Sequence, residues 1–243
     1  SGTVMGGGVG LSAHARHRIA TETTRLAMPE ARIGLIPDVG GTWLLSRAPG
    51  ETGTYVGLTS AHVDGADAIY MGFAEHFVPQ ASLAALLDAL VEEAPPDDAA
   101  IRTVIARFAG SPGIAPLTQY APLIDRTFAH DTVEEILDAL HRDGSAFALS
   151  TERQIGANSP TSLKLTLRAL REARRLTSLG DCIKLEFRVM NRTLSGHDLY
   201  EGARAVIIEK DRSPKWQPSD LADVSPHVLD HYFAPLADGE LQL

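Results

Sequence analysis

Glu30 and Asp38 are the only acids between residues 23 and 50, and both stand in the run Ala27-Met28-Pro29-Glu30-Ala31-Arg32-Ile33-Gly34-Leu35-Ile36-Pro37-Asp38-Val39-Gly40-Gly41. A carboxylate held among Ile33, Leu35, Ile36 and Val39 loses hydration of its charged form, which raises its pKa toward the range where a general acid or base works. Two such groups can divide the labour. Their spacing of eight would put both on one face of a strand, but Gly34 and Pro37 interrupt any regular element. The residues also admit a plainer role, with Glu30 capping a turn or pairing with Arg32 and Asp38 capping a helix that begins near Gly40.

Gly6-Gly7-Gly8-Val9-Gly10 is the second constellation. Glycines let backbone approach a ligand closely, and free N–H groups at a helix start favour negative charge. No Gly-Lys-Ser/Thr follows, so this is not a P-loop. Gly8-Val9-Gly10-Leu11-Ser12-Ala13 fits a relaxed dinucleotide fingerprint, with Glu30 twenty residues past Gly10. From the residues alone, an oxyanion hole, a dinucleotide site and a tight turn stand level. Other groups weigh less. His14 and His17 share a helix face without a third metal ligand nearby in sequence, and Cys182 lacks an activating neighbour and reads as packing. Ser12 is outside a GxSxG elbow. Arg168, Arg171, Arg174 and Arg175 read by default as a solvated basic face.

The elements that must position these groups follow from periodicity. Residues 3–5 read as a strand end, 9–17 as a helix, and 18–21 and 24–28 as short strands, the second closed by Pro29. Residues 31–39 read as a loop, 42–47 and 64–72 as helices, and 74–78 as a strand. Beyond residue 80 the apolar spacing is helical: 82–93, 97–108, 132–142, 145–155, 162–174, 181–194 and a helix from His197. Thr161 or Ser162 is the expected cap of the helix ending at 174, and Gly196 a stop. Residues 110–122 read as a loop, and the chain after Asp220 as extended surface.

The 243 residues carry a net charge of −9, 44% hydrophobic and 22% charged residues, and one cysteine. This is a globular composition with room for a sizeable core. It excludes an internal disulfide, and the acidic balance disfavours a general nucleic-acid binder. No apolar run is long enough for a transmembrane helix, so no membrane partner is expected. Only four of 22 basic residues are lysine, which suggests a GC-rich bacterial genome and a cytoplasmic location. The chain opens Ser-Gly-Thr-Val and meets the glycine cluster at once, so further sequence is expected upstream.

Taken in order, Met5-Gly6-Gly7-Gly8-Val9-Gly10-Leu11-Ser12, Ala27-Met28-Pro29-Glu30 and Gly34-Leu35-Ile36-Pro37-Asp38-Val39-Gly40-Gly41 resemble the crotonase superfamily, in particular its 3-hydroxyisobutyryl-CoA hydrolase branch. The likeness continues through Asp131-Thr132-Val133-Glu134-Glu135-Ile136, Asn158-Ser159-Pro160-Thr161-Ser162-Leu163-Lys164, Gly196-His197-Asp198 and Glu201 to Trp216, and so covers nearly the whole chain.

The resemblance implies an α/β, crotonase-like ββα spiral. Residues 1–80 would be the second part of its core, and 81–243 a mostly helical C-terminal region. It implies acyl-CoA thioester hydrolysis, releasing CoA and a short 3-hydroxy acid as in valine degradation, with Glu30 and Asp38 catalytic. Gly7 would supply one oxyanion-hole N–H. No metal and no separate cofactor are implied, CoA being part of the substrate. The second oxyanion donor and much of the CoA pocket would lie on a missing front half of the core, and a homo-oligomer is in keeping with the family. Relatives that hydrate enoyl-CoA use two glutamates; the second falls at Glu30, but the first falls at Gly10, which has no side chain. An enoyl-CoA hydratase or isomerase working with Glu30 alone is the near alternative, a dinucleotide-dependent reductase a distant one, and a non-catalytic crotonase-like scaffold a third.

Overall fold

Short parallel strands occupy the start of the chain, in a computed structural model that describes residues 1–237 and 239–243. β1 (Thr3–Met5), β2 (Ile19–Ala20), β3 (Arg25–Ala27) and β4 (His76–Phe77) form two pairs, β1 with β3 and β2 with β4. Parallel neighbours need a crossover, and α1 (Gly7–Ala13) lies in the one between β1 and β3. The register matches Thr3 with Arg25, Val4 with Leu26 and Met5 with Ala27. Gly6-Gly7 and Met28-Pro29-Glu30 therefore leave the same end of the sheet side by side. The strands are shorter than the β-prone runs 18–21, 24–28 and 74–78; on its other side β3 makes only an isolated antiparallel bridge, Leu26 with Val63. α1 starts two residues early and stops at Ala13 instead of 17. Gly6 caps it at φ 48, and the Arg18 guanidinium donates to the Ala13 carbonyl (3.1 Å).

Helices make up the remainder: α2 (Gly41–Leu45), α3 (Thr52–Thr59), α4 (Gly65–Tyr70), α5 (Leu83–Glu93), α6 (Asp98–Phe108), α7 (Ala121–Phe128), α8 (Val133–Asp143), α9 (Ala146–Gly156), α10 (Pro160–Ala173), α11 (Leu179–Thr193), α12 (Asp198–Ala203) and α13 (Pro226–Phe233). Most start at a side-chain cap, such as Asp64 for α4, Asp97 for α6, the Thr132–Glu135 capping box for α8 and Ser145 for α9. Three departures from the sequence reading have clear causes. α3, rich in Thr and Gly, is a helix because it is buried along its whole length between α2, α7, α9 and α10, where packing overrides propensity. α7 begins inside the stretch read as a loop, with Pro122 in its first turn where no backbone N–H is needed. α13 replaces the expected extended tail because Leu229 and Phe233 join Ile36, Leu165, Leu185 and Val189 in an apolar cluster. The cap of α10 is Ser159, with Pro160 as its first residue, instead of Thr161 or Ser162.

The largest core joins Val9, Leu26 and Met28 of the strand region to Leu45, Val56, Leu58, Phe128, Ile136, Leu163 and Leu170 of the helices. The basic run on α10 is not a free solvated face. Arg171 and Arg174 pair with the partly buried Glu51, and Arg168 with Glu172 and Asp230. Cys182 is fully buried.

Candidate active site

Glu30 opens a single 3₁₀ turn, Glu30–Ile33, which follows β3 directly. Its side chain is 5% exposed, and one oxygen, Oε2, has no hydrogen-bond partner among the described residues. The other faces Gly6, where an added Cβ would stand 2.8 Å from Oε1. Glycine at that position lets the carboxylate lie against the backbone that starts α1, and it also accepts the φ of 48. Gly7, the first residue of α1, follows; its N–H begins the helix and has no intrahelical acceptor. Burial pushes the Glu30 carboxyl up from 4.5 to about 8, its own backbone N–H opposes this, and the charges of Asp38 and Glu186 add to the rise. Asp38 is half-buried, and desolvation raises its pKa as well.

The segment from Glu30 to Asp38 departs from regular structure after its first turn and is anchored from residues far along the chain as well as by the nearby α3. The Ala31 carbonyl accepts the Ser159 N–H (3.1 Å). The Ser159 hydroxyl in turn donates to Asp198 (2.5 Å). Gly34, at φ 78, presses its Cα against the backbone of Asp198 and Leu199, and Gly202 does the same against Ile33, so a side chain at either would strike backbone. Ile36 is fully buried in the cluster formed by α10, α11 and α13.

Beyond Asp38 the chain makes a sharp turn. Val39 has φ 53, a left-handed conformation rare for a β-branched residue, and the Gly41 N–H closes the turn on the Asp38 carbonyl (2.6 Å). His14 Nε2 donates to the Val39 carbonyl (3.1 Å). The Val39 side chain lies over Gly10, where a Cβ would fall 2.5 Å from Val39 Cβ and 2.6 Å from Cγ2. The position therefore has no room for a second carboxylate.

One group at this site went unnoticed in the sequence. Glu186 of α11 is 3% exposed, and its carboxylate accepts the Gly40 N–H (2.8 Å), the Thr42 N–H (2.9 Å) and the Thr42 hydroxyl (2.5 Å). Burial pushes it up to about 7 despite those three donors. Its only sequence signal is a position on the apolar face of an amphipathic helix, in line with Cys182, Leu185 and Val189. His14 and His17 diverge. His17 Nε2 meets Asp98 (3.0 Å) and lies close to Glu75 and His76. Arg16, Arg18 and Arg102 already pair with the two acids there, leaving this cluster poorly suited to a further cation.

Residues 1–233 match the family model described as enoyl-CoA hydratase/isomerase. A probable 3-hydroxyisobutyryl-CoA hydrolase of Arabidopsis thaliana is 44% identical over 99% of this chain and 66% of its own length. The mitochondrial 3-hydroxyisobutyryl-CoA hydrolase of Homo sapiens is 41% identical over 99% of this chain and 64% of its own. The chain thus spans somewhat less than two thirds of these relatives. Among solved structures, one described as a carnitinyl-CoA dehydratase from Mycobacterium thermoresistibile superposes with TM-score 0.91 at 41% identity, covering 98% of this chain and 67% of that one. Another, described as an enoyl-CoA hydratase from Rhodobacter sphaeroides, gives 0.88 at 39%, covering 97% and 67%. With the ordered glycine and acid motifs, the α/β crotonase-like fold and a family match that runs almost end to end, the chain belongs to the enoyl-CoA hydratase/isomerase family.

Proposed function

We propose that this chain carries the acid–base half of a thioester hydrolase acting on a short 3-hydroxyacyl-CoA, with 3-hydroxyisobutyryl-CoA as the substrate suggested by the names of its relatives. The observation that carries the reading is the pairing of one buried, partly unsatisfied carboxylate, Glu30, beside Gly6-Gly7 with a Gly10 position filled by Val39. Hydration of a double bond across two carboxylates has no second acid at that position, whereas thioester cleavage needs one basic group and oxyanion donors. This favours the hydrolase over the hydratase suggested by the descriptions of the solved relatives.

In the proposed mechanism the thioester carbonyl lies against the Gly7 N–H, and a second donor comes from the part of the relatives' length that this chain does not span. Each such donor lowers the barrier by about 3–4 kcal/mol, since charge grows on that oxygen only in the transition state. Ionised Glu30 either takes a proton from water, which adds to the carbonyl, or adds to the carbonyl itself to give an acyl–enzyme that water then opens. In both routes CoA leaves as the thiol and the 3-hydroxy acid is released. Asp38 binds the substrate hydroxyl. No separate cofactor takes part, because CoA enters with the substrate; assembly into a homo-oligomer is part of the same proposal.

The test is product analysis with the intact protein. Thiol release from 3-hydroxyisobutyryl-CoA with crotonyl-CoA absorbance unchanged is expected. Loss of crotonyl-CoA absorbance without thiol release would replace the reading with hydration. In a single turnover in H₂¹⁸O, label appearing in the Glu30 carboxyl marks the acyl–enzyme route.

A further inference from the structure

Val39 is strained, and Asp38 depends on it. A β-branched residue in the left-handed region is held there only when its surroundings over-determine it. On the upstream side the clamp is His14 on the Val39 carbonyl and the Gly10 Cα under the Val39 side chain. On the downstream side it is Glu186, which takes the Gly40 N–H, the Thr42 N–H and the Thr42 hydroxyl. These contacts cross 144–146 residues, so the short helix α2 is not the source of the constraint. Without the carboxylate, two buried N–H groups would lose their acceptor, a penalty the turn can escape by opening. Opening returns Val39 to an ordinary φ and moves the neighbouring Asp38, whose charge Glu30 feels.

We infer that Glu186 is a positioning residue for the reaction: through Gly40 and Thr42 it fixes the turn that presents Asp38 to the substrate hydroxyl, and so sets the preference for a 3-hydroxyacyl group over its deoxy counterpart. The inference rests on the hydrolase reading above and on the role given there to Asp38. It is specific in a way that general stabilisation is not, because it predicts which substrate feels the change.

The experiment uses the intact protein and two substrates, 3-hydroxyisobutyryl-CoA and isobutyryl-CoA, which lacks the hydroxyl. In Glu186→Ala the ratio of the two kcat/KM values should fall about tenfold, the effect of losing one well-placed hydrogen bond to a charged group. Glu186→Gln, which keeps one acceptor oxygen, should fall between. If Glu186→Ala fails to fold, Thr42→Val removes only the hydroxyl donor and should lower the same ratio by a smaller factor. On an Asp38→Asn background the Glu186 change should leave the ratio where Asp38→Asn put it, since coupled residues are not additive. Equal slowing of both substrates, or effects that multiply, would overturn the inference and reduce Glu186 to a stabilising residue. Amide exchange at Gly40 and Thr42 reads the tether without any turnover. Faster exchange in Glu186→Gln supports it and unchanged exchange overturns it, even if the intact protein hydrolyses neither substrate and the functional reading itself falls.

Discussion

Glu30→Gln should make the protein less pH-sensitive and, in alkaline solution, more stable. Glu30 binds its proton at about 8 in the folded chain against an ordinary 4.5. Below 4.5 both states are protonated and the group has no net effect. Between 4.5 and about 8 the unfolded chain gives up the proton while the folded one keeps it, so stability falls as pH rises, by about 1.4 kcal/mol per pH unit for a single group. Above about 8 the loss levels off at about 2–5 kcal/mol, shared with Asp38 and Glu186, which lie in the same field. Glutamine removes the titration and leaves a pH-independent offset for its own buried amide. The difference in melting temperature between variant and wild type should therefore climb from pH 5 to pH 9 by an amount on the order of 10 °C, at roughly 2–4 °C per kcal/mol for a chain of this size. Calorimetry at half-unit pH steps, checked by urea midpoints, measures it. Two melting curves that stay parallel across that range would refute the buried, proton-holding state of Glu30.

Three further changes probe the supports of the site. Gly202→Ala drives a methyl into the Ile33 backbone and should lower stability by about 2–3 kcal/mol, seen as a lower urea midpoint, while also reducing thiol release through the displaced Glu30 turn. Gly10→Glu must displace Val39; the expected result is a loss of about 2 kcal/mol and no gain of crotonyl-CoA hydration, and efficient hydration by this variant would show that the room exists. Glu51→Gln weakens the pairing with Arg171 and Arg174 and should remove about 1–3 kcal/mol at neutral pH, with a smaller difference in strong acid, where the wild-type carboxyl is protonated too.

The chemistry-bearing residues in the first forty positions drew attention because they break a pattern: two acids in an apolar run, and four glycines within five residues where a strand meets a helix. Their meeting could not be read from spacing, since it comes from the parallel register that aligns Met5 with Ala27. Helices beyond residue 80 were legible where an amphipathic period coincided with a capping residue, as for α6, α8 and α9. α3 was not, because a helix buried on every side has no period to read. Glu186 was hidden for a related reason: a carboxylate in α11 looks like ordinary helix surface until the fold brings Gly40 and Thr42 to it from far upstream. The basic run of α10 misled in the opposite sense, its partner Glu51 lying 120 and 123 residues from Arg171 and Arg174.

The claim that Glu30 drives thioester cleavage is tested most directly by the pH dependence of kcat/KM for thiol release from 3-hydroxyisobutyryl-CoA, in the intact protein and in Glu30→Gln. A base must be ionised to act, so the wild-type rate should rise with pH, reach half its plateau near 8, the value at which Glu30 gives up its proton, and level off above it. The glutamine variant should lose about 10²–10⁴-fold in rate and, with it, that rise. A wild-type profile flat from pH 6 to 9, or a variant that keeps most of its activity, would contradict the account.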